Sequence, residues 1–362
     1  MFRMNNFRDG KVIAENMVYV DMANKEAEKF LLAPNDILFN RTNSPALVGK
    51  TGLFNLPGEY VFASYLVRLR VNEKVADPRF INYFLNDDKT KQELKALSTV
   101  GVSQSNINPT SLRKKLAIPL PPLPEQQRIS NILEAFDHVI EGTLLLLEKQ
   151  EKRLDSLLHT LLNGDKRLNK FASAKWEEIR LGQLFSERSE RGQGHLPLLS
   201  ITAKQGLLNR DELEKRDTSN KDKSKYKVIR VGDIGYNTMR LWQGVATVAD
   251  KEGIISPAYT VVVPNERIDV QFAGLLFKTR ETIRQFRRYS QGLVDDTLNC
   301  KFPAFSKIKV RIPESLDEQR DIAAIVNAAE REIKLIGQQL TLLQKQKKGL
   351  MQRLLTGQSF TN

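Results

Sequence analysis

The chain has 362 residues and a formal net charge of +13, from 56 lysines and arginines against 43 aspartates and glutamates. This length leaves room for two or three domains. The charge favours a polyanionic partner, most commonly nucleic acid, and the alternative is a basic surface that is merely solvated. One cysteine and three histidines exclude an intramolecular disulfide and argue against a metal site, so we expect no metal and no other cofactor. No apolar run spans a bilayer and no signal-peptide core begins the chain, which predicts a cytoplasmic protein with no membrane partner.

The first 123 residues predict a mixed α/β domain. Short β-rich runs bounded by Asn, Pro and Gly occur at residues 18–20, 36–39 and 65–71. Residues 78–97 favour helix, and a polar loop follows at 101–109. The next segment, IPLPPLP, must be extended because proline disfavours helix in the residue before it.

Residues 124–164 predict one long helix. Apolar residues recur in steps of three, four or seven, which is typical of a coiled-coil seam. Pro124 lies where the helix should begin, and Gly164 lies where a C-terminal cap is needed. The seam positions are Ile129, Leu133, Phe136, Ile140, Leu144, Leu147, Leu154, Leu158 and Leu161.

The same helix recurs at residues 317–357, ahead of a short tail at 358–362. Glu125 matches Glu318 and Gln126 matches Gln319, at a constant offset of 193 residues. Such a gapless repeat over about 40 residues sets the architecture. We predict that the two helices pack against each other as an antiparallel coiled coil, with two unrelated surface helices as the alternative.

Residues 165–316 predict a second α/β domain built like the first. GDIGYN resembles NDILFN, and KIKVRIPESLDEQ resembles KKLAIPLPPLPEQ, although the offset drifts by a few residues. This drift indicates shared strands joined by different loops, where recognition residues usually lie. The second domain opens with WEEIRLGQLF at 176–185, for which the first domain has no counterpart. We therefore expect the first domain to be short at its N-terminus.

The order of these features resembles the specificity subunit of a Type I restriction-modification system. The matching segments are IPLPPLPEQQRI, the weaker IPESLDEQRDI, LLNG and LLTG at the two helix ends, and WEEIRLGQLF. The resemblance covers nearly the whole chain. It departs from the family in the missing opening of the first domain, in the second proline run, and in recognition loops that match nothing assignable.

The resemblance implies a non-catalytic reader of double-stranded DNA. It implies two tandem α/β target-recognition domains separated by two long antiparallel helices, each domain reading one half of an asymmetric, split target. Two modification (methyltransferase) subunits and the restriction (motor-nuclease) subunits are the implied partners. A 40-residue helix is roughly 60 Å long, about 17 base-pair rises, which bounds the distance between half-site centres.

Candidate DNA-binding residues lie in loops at matching places in the two domains. Arg reads guanine and Asn reads adenine through paired hydrogen bonds, so Arg- and Asn-rich loops favour base recognition. The alternative is that Asn40 and Asn237 cap turns and that Trp242 fills a core. The candidates are Asn40, Arg41, Asn43, Lys50, Gln104, Ser105 and Asn106 in the first domain, and Asn237, Arg240, Trp242 and Gln243 in the second.

Two further groups of residues are candidates for contact with phosphate and with partner subunits. Basic residues at Lys114, Lys115, Arg284, Arg287 and Arg288 are candidates for phosphate contact, which sets affinity without sequence choice, although charged helix faces are usually only solvated. The family resemblance places partner binding at the starts of the long helices. The residues implied there are Glu125, Gln126, Arg128, Glu318, Gln319 and Arg320.

Enzyme motifs fail when tested. VGKT at 48–51 lacks the upstream glycine of a phosphate-binding loop, because position 44 is Ser44. Neither an amino-methyltransferase loop of the [DN]PP[YFW] type nor a PD dipeptide of a nuclease core occurs. The leading hypothesis is a DNA-binding adaptor, and its alternative is a coiled-coil interaction scaffold without specific DNA binding.

Overall fold

The computed structural model describes residues 1–21, 23–44, 48–100, 105–192, 194–202, 206–212 and 222–356, apart from the side chains at 24, 26, 43, 99 and 100. The chain divides into two compact units. Unit 1 comprises Met1–Leu145 and Gly337–Asn362, and unit 2 comprises Leu146–Ile336. Each unit therefore contains an α/β body and half of each long helix.

The elements of the first α/β body and the first long helix are short strands, short helices and one helix of 40 residues. In chain order they are β1 (Phe7–Arg8), β2 (Lys11–Val12), α1 (Asn24–Phe30), β3 (Ile37–Asn40), β4 (Thr42–Asn43), β5 (Thr51–Leu53), β6 (Leu66–Leu69), α2 (Pro78–Asn86), α3 (Asp88–Ala96), β7 (Thr99–Val100), β8 (Ser105–Asn106), α4 (Pro109–Lys115) and α5 (Leu123–Leu162).

The remaining elements follow the same plan with more strands. They are β9 (Trp176–Arg180), β10 (Phe185–Glu187), β11 (Leu199–Thr202), β12 (Gly206–Asn209), β13 (Lys227–Ile229), β14 (Ile234–Asn237), β15 (Ala246–Val248), β16 (Gly253–Ile255), β17 (Tyr259–Pro264), α6 (Val270–Leu276), α7 (Arg280–Tyr289), α8 (Phe302–Phe305), β18 (Lys309–Pro313) and α9 (Leu316–Leu355).

Unit 1 is organised around the buried strand β3. The sheet has the order β1-β2-β5-β3-β6, and β3 pairs antiparallel with both β5 and β6. Ile37, Leu38 and Phe39 are fully buried, so both faces of this strand are covered. The strands expected at 36–39 and 65–71 are confirmed as β3 and β6. The strand expected at 18–20 is wrong: this segment has no regular structure and Tyr19 is almost fully exposed, because β propensity without pairing does not form a strand.

The helical stretch expected at 78–97 is two helices. Asp87 lies in extended conformation between α2 and α3, and its carboxylate accepts from the backbone N–H of Lys89 at 3.0 Å. Asp77 caps α2 in the same way, accepting from the N–H of Arg79 at 2.8 Å. Aspartate at an N-cap satisfies a helix donor that otherwise lacks a partner. The second cap therefore turns one amphipathic stretch into two helices.

Unit 2 contains a sheet in the order β10-β17-β14-β15, and α6, α7 and α8 contribute to the same hydrophobic core. Phe277, Phe286 and Phe305 are fully buried there with ring centroids 5.3 to 6.2 Å apart. The opening segment at 176–185 begins with β9, which pairs antiparallel with β18, and ends at the first residue of β10. The similarity of GDIGYN to NDILFN thus corresponds to the matching strands β14 and β3, whereas KIKVRIP contributes to β18 and its counterpart KLAIPLP forms no strand.

The two long helices pack together, as the repeat predicted. In unit 1, Ile129 and Leu133 of α5 pack in one cluster with Leu354 of α9. In unit 2, the end of α5 packs with Ile322 and Val326 at the start of α9. These pairings run in opposite directions along the two helices, which confirms antiparallel packing.

The seam is tight near the helix ends and looser along part of its length. Leu144, a predicted seam position, is 43% exposed, whereas Ile129 and Leu161 are buried. The helices begin at Leu123 and Leu316, one residue before the predicted starts. Gly164 adopts the left-handed conformation expected of a cap, and position 357 and the tail at 358–362 lie outside the described residues. Within the described ranges, no helix is both long enough and apolar enough to cross a membrane.

Candidate nucleic-acid interface

The first predicted loop in unit 1 places its leading residues inside the protein. Asn40 is fully buried at the end of β3, and no residue that the structure describes forms a hydrogen bond with its side-chain amide. Its backbone N–H donates to the carbonyl of Lys50 at 2.8 Å, and its carbonyl accepts from Gly49 at 2.9 Å. Arg41 is half-buried, and its carbonyl accepts from the N–H of Ile107 at 2.8 Å. Burial argues against a base contact by Asn40, which instead closes the turn after β3 through its backbone.

The second predicted loop joins the first through a small sheet. Strand β8 lies between β4 and β7, so Asn43 pairs with Ser105 through the backbone. Ser105 is fully buried, which removes its hydroxyl from direct DNA contact. Asn106 is exposed, and its Oδ1 accepts from Thr42 Oγ1 at 3.1 Å. The side chain of Asn43 and the whole of Gln104 lie outside the described part of the structure.

A basic cleft of about 360 Å³ lies beside Lys50 in unit 1. No salt bridge within the described residues engages Lys50, Lys91 or Lys95, so these three charges remain available to an anion. The sequence alone selected only Lys50, because the other cations come from distant segments of the chain. The charged residues lining the cleft are Arg8, Asp9, Lys50, Lys91, Lys95 and Lys347.

The ammonium group of Lys91 is partly desolvated in this cleft. Burial lowers the pKa of its ammonium group, and Lys50 lowers the pKa further, whereas Asp88, Asp87 and Asp9 oppose the shift. A desolvated cation regains stabilisation when an anion approaches it. The cleft therefore has the electrostatic character of a phosphate-binding surface, and Lys91 is one of the cations that line it.

In unit 2 the predicted loop after β14 is a tight turn. Asn237 Oδ1 accepts from the N–H of Met239 at 3.0 Å, so this side chain caps the turn, as the alternative interpretation held. Trp242 is half-buried rather than a core residue, and its Nε1 donates to the carbonyl of Met239 at 3.0 Å. Gln243 is exposed. The turn is thus rigid and presents Gln243 outward.

The turn is held against helix α7 and the loop that follows it. The guanidinium of Arg287 lies 5.1 Å from the centroid of the Trp242 ring and forms a 2.8 Å ion pair with Asp295. Arg240 lies 3.6 Å from Asp296. The structure therefore brings together two groups of candidate residues, around Trp242 and around Arg287, with the acidic residues Asp295 and Asp296. The same acidic residues offset part of the positive charge predicted here.

The remaining phosphate candidates are surface residues. Lys114 and Lys115 end helix α4 and are exposed. Arg284 and Arg288 are exposed on α7, where Arg284 makes an exposed ion pair with Glu281 at 3.5 Å. Exposed pairs of this kind contribute little and yield readily to a phosphate.

The glutamines at the starts of the long helices are internal. Gln126 is fully buried, and its Nε2 donates to the carbonyls of Val75 at 3.2 Å and Pro121 at 2.8 Å. Gln319 is buried with the same pattern, donating to Arg267 at 3.1 Å and Pro313 at 2.8 Å. Their burial argues against direct partner contact by these glutamines. They fix the chain that leads into each helix.

The neighbouring residues of the two helix starts differ. Glu318 is fully buried and forms a bidentate pair with Arg167 at 2.8 and 2.9 Å, so it too is closed to a partner. Its counterpart Glu125 is exposed, as are Arg128 and Arg320. The glutamate at the start of the first long helix is thus exposed, whereas the equivalent glutamate of the second is buried.

The repeated α/β units, the paired helices and the basic cleft are features of a nucleic-acid-binding adaptor. The family model for the Type I restriction modification DNA specificity domain matches residues 3–149. The MjaX specificity subunit of Methanocaldococcus jannaschii is 28% identical over 384 aligned positions, covering 98% of this chain and 86% of that protein. The EcoKI specificity subunit of Escherichia coli is 27% identical over 256 positions, covering 65% of this chain and 53% of that protein.

Solved structures show the same fold. The S subunit of a Type I restriction-modification system from M. genitalium superposes with a TM-score of 0.58 at 20% identity, covering 90% of this chain and 84% of that one. A chain from a study of complex assembly in the type I system gives 0.56 at 18% identity, covering 98% of this chain and 90% of that one. Residues 3–149 therefore match the DNA specificity domain of Type I restriction-modification systems, and nearly the whole chain is similar to their specificity subunits. Such subunits are the non-catalytic, DNA-recognising components of these systems.

Proposed function

We propose that each α/β domain reads one half of a split, asymmetric DNA target. The observation that carries this proposal is a duplicated scaffold whose exposed side chains differ at matching places. The turn after β14 presents Gln243 and the paired Arg240, whereas the matching turn after β3 carries the buried Asn40 and the half-buried Arg41. Different donors and acceptors on the same scaffold select different base edges. The two half-sites therefore differ in sequence.

The basic surfaces supply affinity for the DNA backbone. Lys50, Lys91 and Lys95 line the cleft of unit 1, and Arg284 and Arg288 are exposed on α7 of unit 2. Phosphate contacts fix the register of a protein on the duplex, while base-edge contacts choose the sequence. We assign Lys114 and Lys115, at the exposed end of α4, to the same sequence-independent role.

The proposed partners are two modification subunits and, with them, the restriction subunits. The EcoKI relative is by name part of a type I restriction enzyme. In this chain the long helices leave apolar side chains exposed, which is typical of a surface that binds another protein. The largest of these are Val139, Leu145 and Leu342 in unit 1 and Leu146 and Leu335 in unit 2.

The test is co-purification with the modification subunit encoded beside this chain, followed by genome-wide mapping of methylated adenine. A split motif that changes in one half when residues 176–315 are exchanged with those of a relative supports the proposal. Assembly without methylation and without DNA binding would instead support the coiled-coil scaffold. No assembly at all would contradict the proposed partners.

A further inference from the structure

The loop that follows helix α7 in unit 2 carries two exposed apolar side chains at its apolar tip, Leu293 and Val294. Leu293 is fully exposed and Val294 is 61% exposed. Among the large apolar residues that the structure describes in unit 2, Leu293 has the highest exposed fraction. Single exposed leucines are common on protein surfaces, so the meaning of this one depends on what holds it and what lies beside it.

Hydrogen bonds within the loop fix the shape of the apolar tip. Gln291 and Asn299 exchange backbone hydrogen bonds of 2.8 and 2.9 Å, which close the base of the loop. The N–H of Val294 donates to Thr297 Oγ1 at 3.2 Å, and the N–H of Thr297 donates to the carbonyl of Val294 at 2.9 Å. Leu293 is therefore presented by a loop that is already ordered, so its engagement by a ligand costs little conformational entropy.

Gly292 permits the tight bend that leads into the apolar tip. Its φ of +151° lies in a region that other residues rarely adopt. A Cβ at this position would lie 2.7 Å from the carbonyl carbon and oxygen of Thr297, which is closer than backbone atoms allow. The orientation of the apolar tip thus depends on the glycine.

The loop is tied to the turn after β14, which presents Gln243. The N–H of Cys300, next to the residue that closes the loop, donates to the carbonyl of Thr238 at 2.8 Å. On the loop itself, Asp296 lies 3.6 Å from Arg240. The segments that carry the apolar tip and Gln243 are therefore in direct contact and form one surface of unit 2.

The charges beside the apolar tip favour an anionic ligand. Asp295 forms a 2.8 Å ion pair with Arg287, and Asp296 lies beside Arg240, so arginines offset both acidic residues of the loop. Arg288 is exposed on α7, and no salt bridge from the described part of the chain engages it. This surface thus retains a positive charge that attracts a phosphate backbone.

One group on the base edges of DNA matches an aliphatic side chain. In the major groove the C5-methyl group of thymine is apolar, whereas the other groups that distinguish the base pairs are hydrogen-bond donors and acceptors. The side-chain amide of Gln243 has a donor and an acceptor, and the side chain of Leu293 has neither. The two residues therefore suit different features of the same groove.

We propose that Leu293 contacts the C5-methyl group of a thymine in the half-site read by unit 2. The contact makes one position of that half-site selective for a T·A pair, because none of the other bases carries a methyl group there. This inference rests on the proposed half-site recognition and adds to it a specificity-determining residue. Leu293 supplies the contact, and the hydrogen bonds of its loop hold the side chain in place.

The first experiment compares thymine with uracil in the target, because this replacement removes only the methyl group. The probe is a duplex of the motif obtained by methylation mapping, with the thymines of the unit 2 half replaced by uracil one at a time. Fluorescence anisotropy of the complex that co-purifies with the full chain measures affinity. At one position the wild type should bind the uracil duplex about fourfold more weakly, the effect of one methyl group left in water.

Leu293→Ala should bind the thymine and uracil duplexes equally at that position, because the variant has lost the side chain that contacts the methyl group. Leu335→Ala makes the same change at an exposed leucine of α9 in unit 2 and should retain the fourfold difference. Thermal melts verify that both variants fold. A fourfold difference that persists in Leu293→Ala overturns the contact, as does a half-site in which no thymine responds to the replacement.

Gly292→Ala tests whether the shape of the loop matters. The variant keeps Leu293 but displaces the apolar tip, so the difference between the duplexes should fall below about twofold. Retention of the full difference overturns the positioning of Leu293 by its loop.

Two further outcomes separate this inference from the proposals on which it stands. A wild-type complex that does not prefer the mapped motif to a scrambled duplex overturns half-site recognition and the methyl contact together. A complex that keeps this preference, but loses the modification subunit with Leu293→Ala, overturns the methyl contact alone and makes the apolar tip a protein contact.

Discussion

Gln126 accepts a hydrogen bond through Oε1 from the backbone N–H of Asp77 at 2.9 Å, while Asp77 itself caps helix α2. The second unit repeats the arrangement, with Gln319 accepting from Asp269 at 2.7 Å and Asp269 capping α6. Each glutamine therefore joins the start of a long helix to the first turn of a helix in the adjoining domain. The repeated glutamine is in this respect an internal joint.

Replacement of Gln126 by alanine should destabilise the protein. The change removes the hydrogen-bond partner of the Asp77 N–H and of the carbonyls of Val75 and Pro121. Because these groups lie around a buried side chain, we expect the free energy of unfolding to fall by roughly 2–4 kcal/mol. Urea denaturation of Gln126→Ala measures the loss. Gln127→Ala, at the exposed neighbouring position, should change the free energy of unfolding by less than about 0.5 kcal/mol. Similar losses in both variants would contradict the joint.

Lys91→Ala and Lys95→Ala should weaken binding to every DNA sequence by a similar factor. Each variant removes one cation of the cleft, so the slope of log affinity against log salt should fall by about 1. Fluorescence anisotropy over a salt series measures the slope. Lys89→Ala makes the same charge change on an exposed residue outside the cleft and serves as the control. An unchanged slope in the cleft variants would exclude phosphate contact there.

DNA affinity should also depend on pH through Lys91. Burial lowers the pKa of this ammonium group in the free protein, and a phosphate beside it favours the charged form. Binding therefore takes up a proton above the lowered pKa, and affinity should fall as pH rises through that range. Lys91→Arg stays charged and should flatten the profile. Parallel profiles for wild type and Lys91→Arg would show that the cleft does not contact DNA.

Gln243→Ala should relax base preference in the half-site read by unit 2 and leave the other half unchanged. Gln243 is exposed on a rigid turn, and a bidentate contact to a base contributes about 1–3 kcal/mol of discrimination. Mapping of methylated sites in cells that carry the variant measures the motif. Gln271→Ala, exposed on α6, provides the matched control. A motif that is unaltered in both halves would remove Gln243 from the interface.

Leu342→Glu should reduce recovery of the modification subunit by at least about tenfold without unfolding the chain, because a charge replaces an exposed apolar contact. Co-purification measures assembly, and a thermal melt measures folding. Gln339→Glu introduces the same residue at another exposed position of α9 and should assemble normally. Full recovery with Leu342→Glu would place the partner surface elsewhere.

The candidate interface was only partly predictable from sequence. Gln243 and Asn106 are exposed as expected, yet Asn40 and Ser105 in the same loops are buried. Local composition does not reveal this difference, because it depends on the sheet that closes over each loop. Lys91 and Lys95 escaped selection because each is a single lysine on an ordinary amphipathic helix. Only the folded chain brings Lys91 and Lys95 into the same cleft as Lys50.

The sequence by itself determined the duplicated plan and the extent of the long helices. Apolar periodicity and the gapless repeat are local signals: the first places Ile129 in the seam, and the second places Ile322 at the equivalent position. Only the tertiary structure decided what the repeated residues do. Glu318 is buried beneath Trp176 and Arg167, whereas Glu125 in the same motif is exposed. Burial depends on the segments packed above a residue, and those segments come from elsewhere in the chain.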